Sequence, residues 1–197
     1  KTAYQYLHLP GNLQEQNQAQ RRLKFEELFY NQLKLISLSL VRKNEFAGQI
    51  FNKTSLLTTF YKDHLPFDLT GAQKRVIREV FDDMKSGKQM NRLVQGDVGS
   101  GKTIVAFITM LMAIDGGAQG CMMAPTEILA QQHYTNLRKY CDLLHLNIRL
   151  LTGSSGKKER KEIHEGLLNG SLHILVGTHA VLEDVVQFHN LGICIID

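Results

Sequence analysis

The residues Gly96, Asp97, Val98, Gly99, Ser100, Gly101, Lys102 and Thr103 satisfy the pattern GxxxxGK(S/T) at every fixed position. The chemistry this spacing serves is capture of a nucleoside triphosphate by its phosphates. Glycines allow the backbone to wrap closely around an anion and turn its amide hydrogens inward. A helix starting near Gly101 would add its unpaired amides and the positive end of its dipole at the same spot. Lys102 would then reach the terminal phosphates as a point charge, and Thr103 would offer its hydroxyl to a magnesium ion. The plainer alternative is a flexible glycine turn beside a solvated lysine. The apolar residues Leu93 and Val94 before the loop, and Ile104, Val105 and Ala106 after it, favour a strand–loop–helix unit instead.

Such a loop needs a scaffold, and from Leu65 onward the sequence supplies one. Thr70 to Gln73 followed by Val76, Ile77, Val80 and Phe81 predicts a capped amphipathic helix that ends near Ser86 and Gly87. A strand is predicted at Arg92 to Gln95, then the loop and a helix to about Ile114, stopped by Gly116 and Gly117. Cys121 to Ala124 reads as a strand, Thr126 to about Tyr140 as a helix, and Ile148 to Leu151 as a strand. The basic stretch Lys157, Lys158, Arg160 and Lys161 opens a helix that stops at Asn169 and Gly170; strands at His173 to Val176 and Ile193 to Ile196 complete the series. Short apolar strands alternating with helices imply an α/β fold, a parallel sheet covered by helices on both faces.

The first sixty residues have a different texture. From about Asn12 to Phe46 no Gly or Pro interrupts a run rich in Gln, Glu, Arg, Leu and Phe, which predicts a helix of about 50 Å at about 1.5 Å per residue. Leu23, Leu28, Leu33 and Ile36 could share an apolar face, with Arg21, Arg22 and Lys24 as a solvated face or, alternatively, a binding patch. Gly48 is expected to end this helix, and Thr54 and Ser55 to cap a shorter one running to His64. So long a helix ahead of the loop reads as a connector more than as a domain.

Composition sets wide limits. The 197 residues are 43% hydrophobic and 21% charged, with a formal charge of +4 that permits contact with nucleic acid without demanding it. No apolar run approaches the roughly 18 residues that span a bilayer, and no secretion signal is evident, so a soluble cytoplasmic protein with no membrane partner is expected. The cysteines Cys121, Cys141 and Cys194 all read as core residues, and the eight histidines show no metal spacing.

Several segments together resemble the RecG family of bacterial ATP-dependent DNA helicases. They are Leu65, Pro66, Phe67, Asp68, Leu69, Thr70 and Gln73, then Met90 to Gln95 leading into the loop, Met123 to Tyr134, Leu151, Thr152, Gly153, and Val176 to Ala180. Leu9, Pro10, Gly11 and the run Arg22 to Phe29 resemble the helical segment that joins that family's wedge domain to its motor. The resemblance implies a P-loop NTPase fold of the RecA-like kind, with a helical linker over 1–64 and the first motor domain over 65–197. It implies ATP and magnesium as ligands, forked or branched DNA as partner, and a wedge domain and second motor domain elsewhere in the same bacterial protein.

Carried onto this sequence, the resemblance places Phe67, Thr70 and Gln73 in the element that senses adenine, with Gln73 offering a donor and an acceptor to the base edge. Thr70 and Gln73 equally satisfy a capping box, and both readings stay open. Pro125, Thr126 and Glu127 resemble a motif whose hydroxyl and helix amino terminus meet a phosphate of the tracked strand, with a plain helix cap as the alternative for Thr126. Gly153 and Thr178 resemble further DNA-backbone contacts.

Ile195, Ile196 and Asp197 resemble the strand that delivers an acidic motif, in which Asp197 holds magnesium through water and a following Glu polarises the attacking water. Lys102 and Asp197 are accordingly the expected catalytic residues. With that Glu, the later motifs and the arginine fingers beyond Asp197, the 197 residues are expected to bind ATP and hydrolyse it poorly. Two alternatives remain: the motor of a transcription-repair coupling factor-like translocase, and a nucleotide-binding module without motor activity or a small P-loop kinase. A kinase would need an arginine-bearing lid soon after the loop, which the sequence lacks.

Overall fold

Two packing units make up the chain in the computed structural model, which describes residues 2–197 apart from the side chains of 42–44. The first, Lys1–Ala47, holds α1 (Thr2–His8) and the long α2 (Leu13–Glu45), which pack on each other. An Arg22–Glu26 ion pair at 2.8 Å spans one turn of α2. Of the residues expected to form its apolar face, Leu23 is half-buried, whereas Leu28, Leu33 and Ile36 are exposed.

The second unit, Gly48–Asp197, begins earlier than the boundary expected after His64. Its elements are α3 (Ser55–Thr59) running into a single wide turn at Phe60–His64, α4 (Gly71–Lys85), α5 (Lys102–Asp115), β1 (Gln119–Met123), α6 (Glu127–Leu143), β2 (Ile148–Leu151), α7 (Lys157–Leu168), β3 (Ile174–Gly177), a short 3-10 turn (His179–Leu182) and β4 (Leu191–Ile196). All strand pairs are parallel, in the order β2-β3-β1-β4.

Strand side chains alternate between faces, and the two faces bury different layers. Met122, Ile174, Val176 and Ile193 join α4, α5 and α6 in one core, whereas Cys121, Leu151 and Leu175 meet Ile163 and Leu167 of α7 in another. The expected α/β sheet with helices on both faces is therefore present. A helix that is apolar all round must be covered all round, and α5 is: Phe107, Met110, Leu111 and Ala113 have no exposed surface. Phe60 stands edge-on to Phe107 and to Tyr140, with ring centroids 5.1 Å apart in each case. Gly192 allows close approach of β4, because a Cβ there would lie 2.6 Å from that of Ala118.

Three local expectations are corrected. Arg92 to Gln95 form no strand: Leu93 is 88% exposed, and Arg92 is tied to Glu79 and Asp83 of α4 at 2.8 and 2.9 Å. A strand is a pairing state, and among the described residues no strand of the sheet pairs with Arg92 to Gln95. Cys194 is exposed on that edge strand, unlike the buried Cys121 and Cys141. Cys121 and Cys194 are register partners across β1 and β4. The interaction between these two neighbouring thiols lowers the pKa of Cys194 and, together with burial, raises that of Cys121. Finally, Thr54 makes no side-chain cap; the Asp115 carboxylate at the far end of α5 accepts from the Ser55 amide and hydroxyl and from the Leu56 amide.

Candidate nucleotide and nucleic-acid site

Parallel strands all end on the same side of a sheet, and in open α/β sheets ligands bind outside those carboxyl ends. The ladder continues past the strands here: Ala124 N–H donates to the Gly177 carbonyl at 2.9 Å, Thr178 N–H to Leu151 at 3.2 Å, and Asp197 N–H to Met123 at 2.9 Å. Pro125 and Thr126, Gly153, Thr178 and Asp197 therefore leave one edge of the sheet side by side.

The phosphate loop takes the shape its glycines permit. Gly99 and Gly101 lie at φ 81° and 82°, a region costly for any residue with a Cβ. Gly101 is the N-cap of α5, so Lys102 and Thr103 open the helix. The Lys102 ammonium donates to the Gly96 carbonyl at 2.7 Å and the Asp97 carbonyl at 2.9 Å, and Ser100 N–H donates to Asp97 at 3.1 Å. A cation is thus already drawn into the concavity, with free amides at the start of α5 beside it. This donor set fits a polyphosphate.

Thr70 and Gln73 form a complete capping box at the start of α4: Gln73 N–H donates to Thr70 Oγ1 at 3.2 Å, and Thr70 N–H to Gln73 Oε1 at 2.8 Å. The same amide group does a second job, because Gln73 Nε2 donates to the Ser100 carbonyl at 2.8 Å. The box thereby tethers the phosphate loop, and a Cβ on Gly101 would collide with that amide. Gln73 keeps a second N–H and a second Oε1 lone pair for another partner. Phe67, 48% exposed, and Val98, fully exposed, stand clear of these contacts.

Thr126 is the N-cap of α6, where its hydroxyl accepts from Leu129 N–H at 3.3 Å, and it is exposed with Pro125 and Glu127. Glu127 contributes a contact that its place in the motif does not reveal. Its carboxylate accepts from Ser154 N–H at 3.2 Å and from the Ser154 hydroxyl at 3.0 Å, beside Gly153. Arg160 braces the same loop through the Thr152 carbonyl at 2.8 Å and the Ser155 carbonyl at 3.2 Å, and pairs with Glu183 at 2.8 Å. Between α6 and this loop opens a cleft of about 520 Å³ lined by Glu127, Ile128, Gln131, Gln132 and Ser154. Thr178, by contrast, is buried.

Asp197 does not stand alone. Its Oδ2 lies 2.8 Å from Nε2 of His133 on α6. Among the described residues its Oδ1 takes no hydrogen bond, and no hydrogen bond joins Asp197 to Thr103. The sequence held one pointer to His133: it sits seven positions after Thr126, two turns along the same helix.

Residues 70–197 match the family described as DEAD/DEAH box helicase. Among curated proteins, the ATP-dependent DNA helicase RecG of Synechocystis sp. is 45% identical over the whole chain, which covers 24% of that protein. RecG of Streptococcus pneumoniae is 44% identical over 99% of the chain and 29% of its own length. A solved structure of RecG bound to a three-way DNA junction superposes with a TM-score of 0.80 at 39% identity, covering 98% of this chain and 26% of that one. The chain thus spans about a quarter of the length of the relatives it matches. With a phosphate loop opening α5 on a parallel sheet and this match over most of its length, the chain belongs to the DEAD/DEAH box helicase family.

Proposed function

We propose that the chain is a linker (1–64), whose residues 48–64 pack with the motor core, and most of the first RecA-like motor domain (65–197) of a superfamily 2 ATP-dependent DNA helicase. In a protein of the relatives' length it would serve to remodel branched DNA such as stalled forks and recombination junctions in the bacterial cytoplasm. The observation that carries this reading is the phosphate loop, with Lys102 drawn inward at the start of α5. The likeness to RecG on a three-way junction supports branched DNA as the substrate class.

In this reading Lys102 exchanges the carbonyls of Gly96 and Asp97 for the terminal phosphates of ATP. Gln73 turns its spare donor and acceptor to the adenine edge, with Phe67 nearby in sequence. Thr103 and Asp197 are the groups that would hold magnesium, which when bound offsets charge developing on the phosphoryl oxygens. Thr126 and Gly153 present a hydroxyl, helix amides and bare backbone to the phosphates of one DNA strand. Thr178, being buried, supports that surface from beneath the 3-10 turn as much as it contacts DNA. Hydrolysis would need a second motor domain, since phosphoryl transfer depends on charge stabilisation such as an arginine finger supplies, worth about 10³ to 10⁵ in rate. The 197 residues alone should bind ATP and turn it over negligibly.

A fluorescent ADP analogue titrated into the chain and its Lys102→Ala variant tests the site. The variant should bind at least about tenfold more weakly, the value of losing one charge-assisted contact, at an unchanged melting temperature. Equal affinities would refute the nucleotide reading. Unwinding of a three-way junction by the longer protein tests the substrate class.

A further inference from the structure

The His133–Asp197 contact joins two parts of the molecule that the proposed function treats separately. Asp197 follows β4, fixed by its N–H bond to Met123, and its side chain is 44% exposed. The His133 side chain is 14% exposed and comes from α6, whose Ala130, Leu137 and Cys141 are completely buried. The N-cap of that helix is Thr126, and a rise of about 1.5 Å per residue puts His133 roughly 10 Å further along one stiff rod.

We propose that His133 is a positioning residue for the Asp197 carboxylate, and that through it α6 joins the DNA-facing Thr126 to the metal side of the nucleotide site. A carboxylate on a strand end can swing about two side-chain torsions. Held through Oδ2, it keeps one orientation and leaves Oδ1 for a water of a bound cation. A shift of the helix when Thr126 engages a phosphate would move that carboxylate too. Partners one step removed from a metal commonly matter in this way, because they restrict the orientations of the ligand itself.

This inference rests on the nucleotide reading above, and the test separates the two. In the chain bound to the fluorescent ADP analogue, the magnesium concentration giving half the full signal change should rise about tenfold for His133→Ala. His133→Gln, whose amide can still donate to Oδ2, should restore most of it. Affinity at saturating magnesium should stay within about twofold, and the melting temperature of the alanine variant should fall by no more than the roughly 2–4 °C that one lost hydrogen bond costs. In the longer protein, at saturating magnesium and ATP, the alanine variant should lower the junction-stimulated kcat about tenfold with KM for ATP little changed. Unchanged magnesium midpoint and kcat would overturn the proposal, as would equal loss of affinity with and without magnesium. A wild-type chain that binds nucleotide with no response to magnesium would also overturn it while sparing the phosphate loop. Failure of the Lys102→Ala comparison is the separate sign that the nucleotide reading is wrong.

Discussion

Gln73 Nε2 donates to the Ser100 carbonyl at 2.8 Å, so one amide side chain closes the capping box of α4 and holds the phosphate loop. The two roles separate by substitution. Thr70→Ala removes only the cap and should cost about 1 kcal/mol, which for a chain of this size lowers the melting temperature by about 2–4 °C. Gln73→Ala should cost a similar amount and in addition weaken binding of a fluorescent ADP analogue several-fold. Calorimetry and nucleotide titration on both variants check this; equal nucleotide affinity in the two would mean the tether does not matter.

Glu127 is expected to position the loop at Gly153 through Ser154. Glu127→Ala should lower stability by about 1 kcal/mol, the net value of a modest hydrogen-bonded contact. In the longer protein it should weaken junction binding several-fold while nucleotide affinity holds. Gel-shift titration at a fixed salt concentration measures the first quantity, since phosphate contacts are salt-dependent. A stability loss with unchanged DNA affinity would reduce Glu127 to a structural tie.

The three thiols should differ in reactivity. Cys194 is exposed, whereas burial pushes the Cys141 thiol up to about 12, and the neighbouring Cys194 together with burial raises the pKa of Cys121. The attacking species is the thiolate, and a lowered pKa keeps Cys194 in that form to lower pH than an ordinary thiol. Under native conditions iodoacetamide should therefore label Cys194 alone. Its rate should fall with decreasing pH only below the usual thiol range, and Cys121→Ala, which removes the neighbouring thiol that lowers the Cys194 pKa, should move that fall to higher pH. Mass spectrometry locates the adduct; labelling of Cys141 without denaturant would contradict the packing.

The phosphate loop, the α4 capping box and the alternation of strands and helices were legible because each depends on residues close in sequence. Gly99 and Gly101 advertise their positive φ, and Thr70 with Gln73 advertise the cap. What escaped depends on neighbours far along the chain. Arg92 to Gln95 have strand-like composition but find no ladder, while the cap of α3 comes from Asp115 at the end of another helix instead of from Thr54. Cys194 differs from Cys121 only through the place of its strand at the sheet edge. His133 and Glu127 lie inside a segment whose family likeness was plain, yet their partners are distant in sequence: Asp197 just past β4 and Ser154 in the loop after β2.

The placement of α5 has a mechanical meaning. It starts at Gly101 in the phosphate loop, ends at Asp115, and is gripped on every side between. Interiors packed to crystal density yield little, so this rod of about 21 Å cannot buckle to absorb a push. A displacement where the loop closes on an anion is therefore shared between the packed core around α5 and its far end, where Asp115 clasps the Ser55 turn.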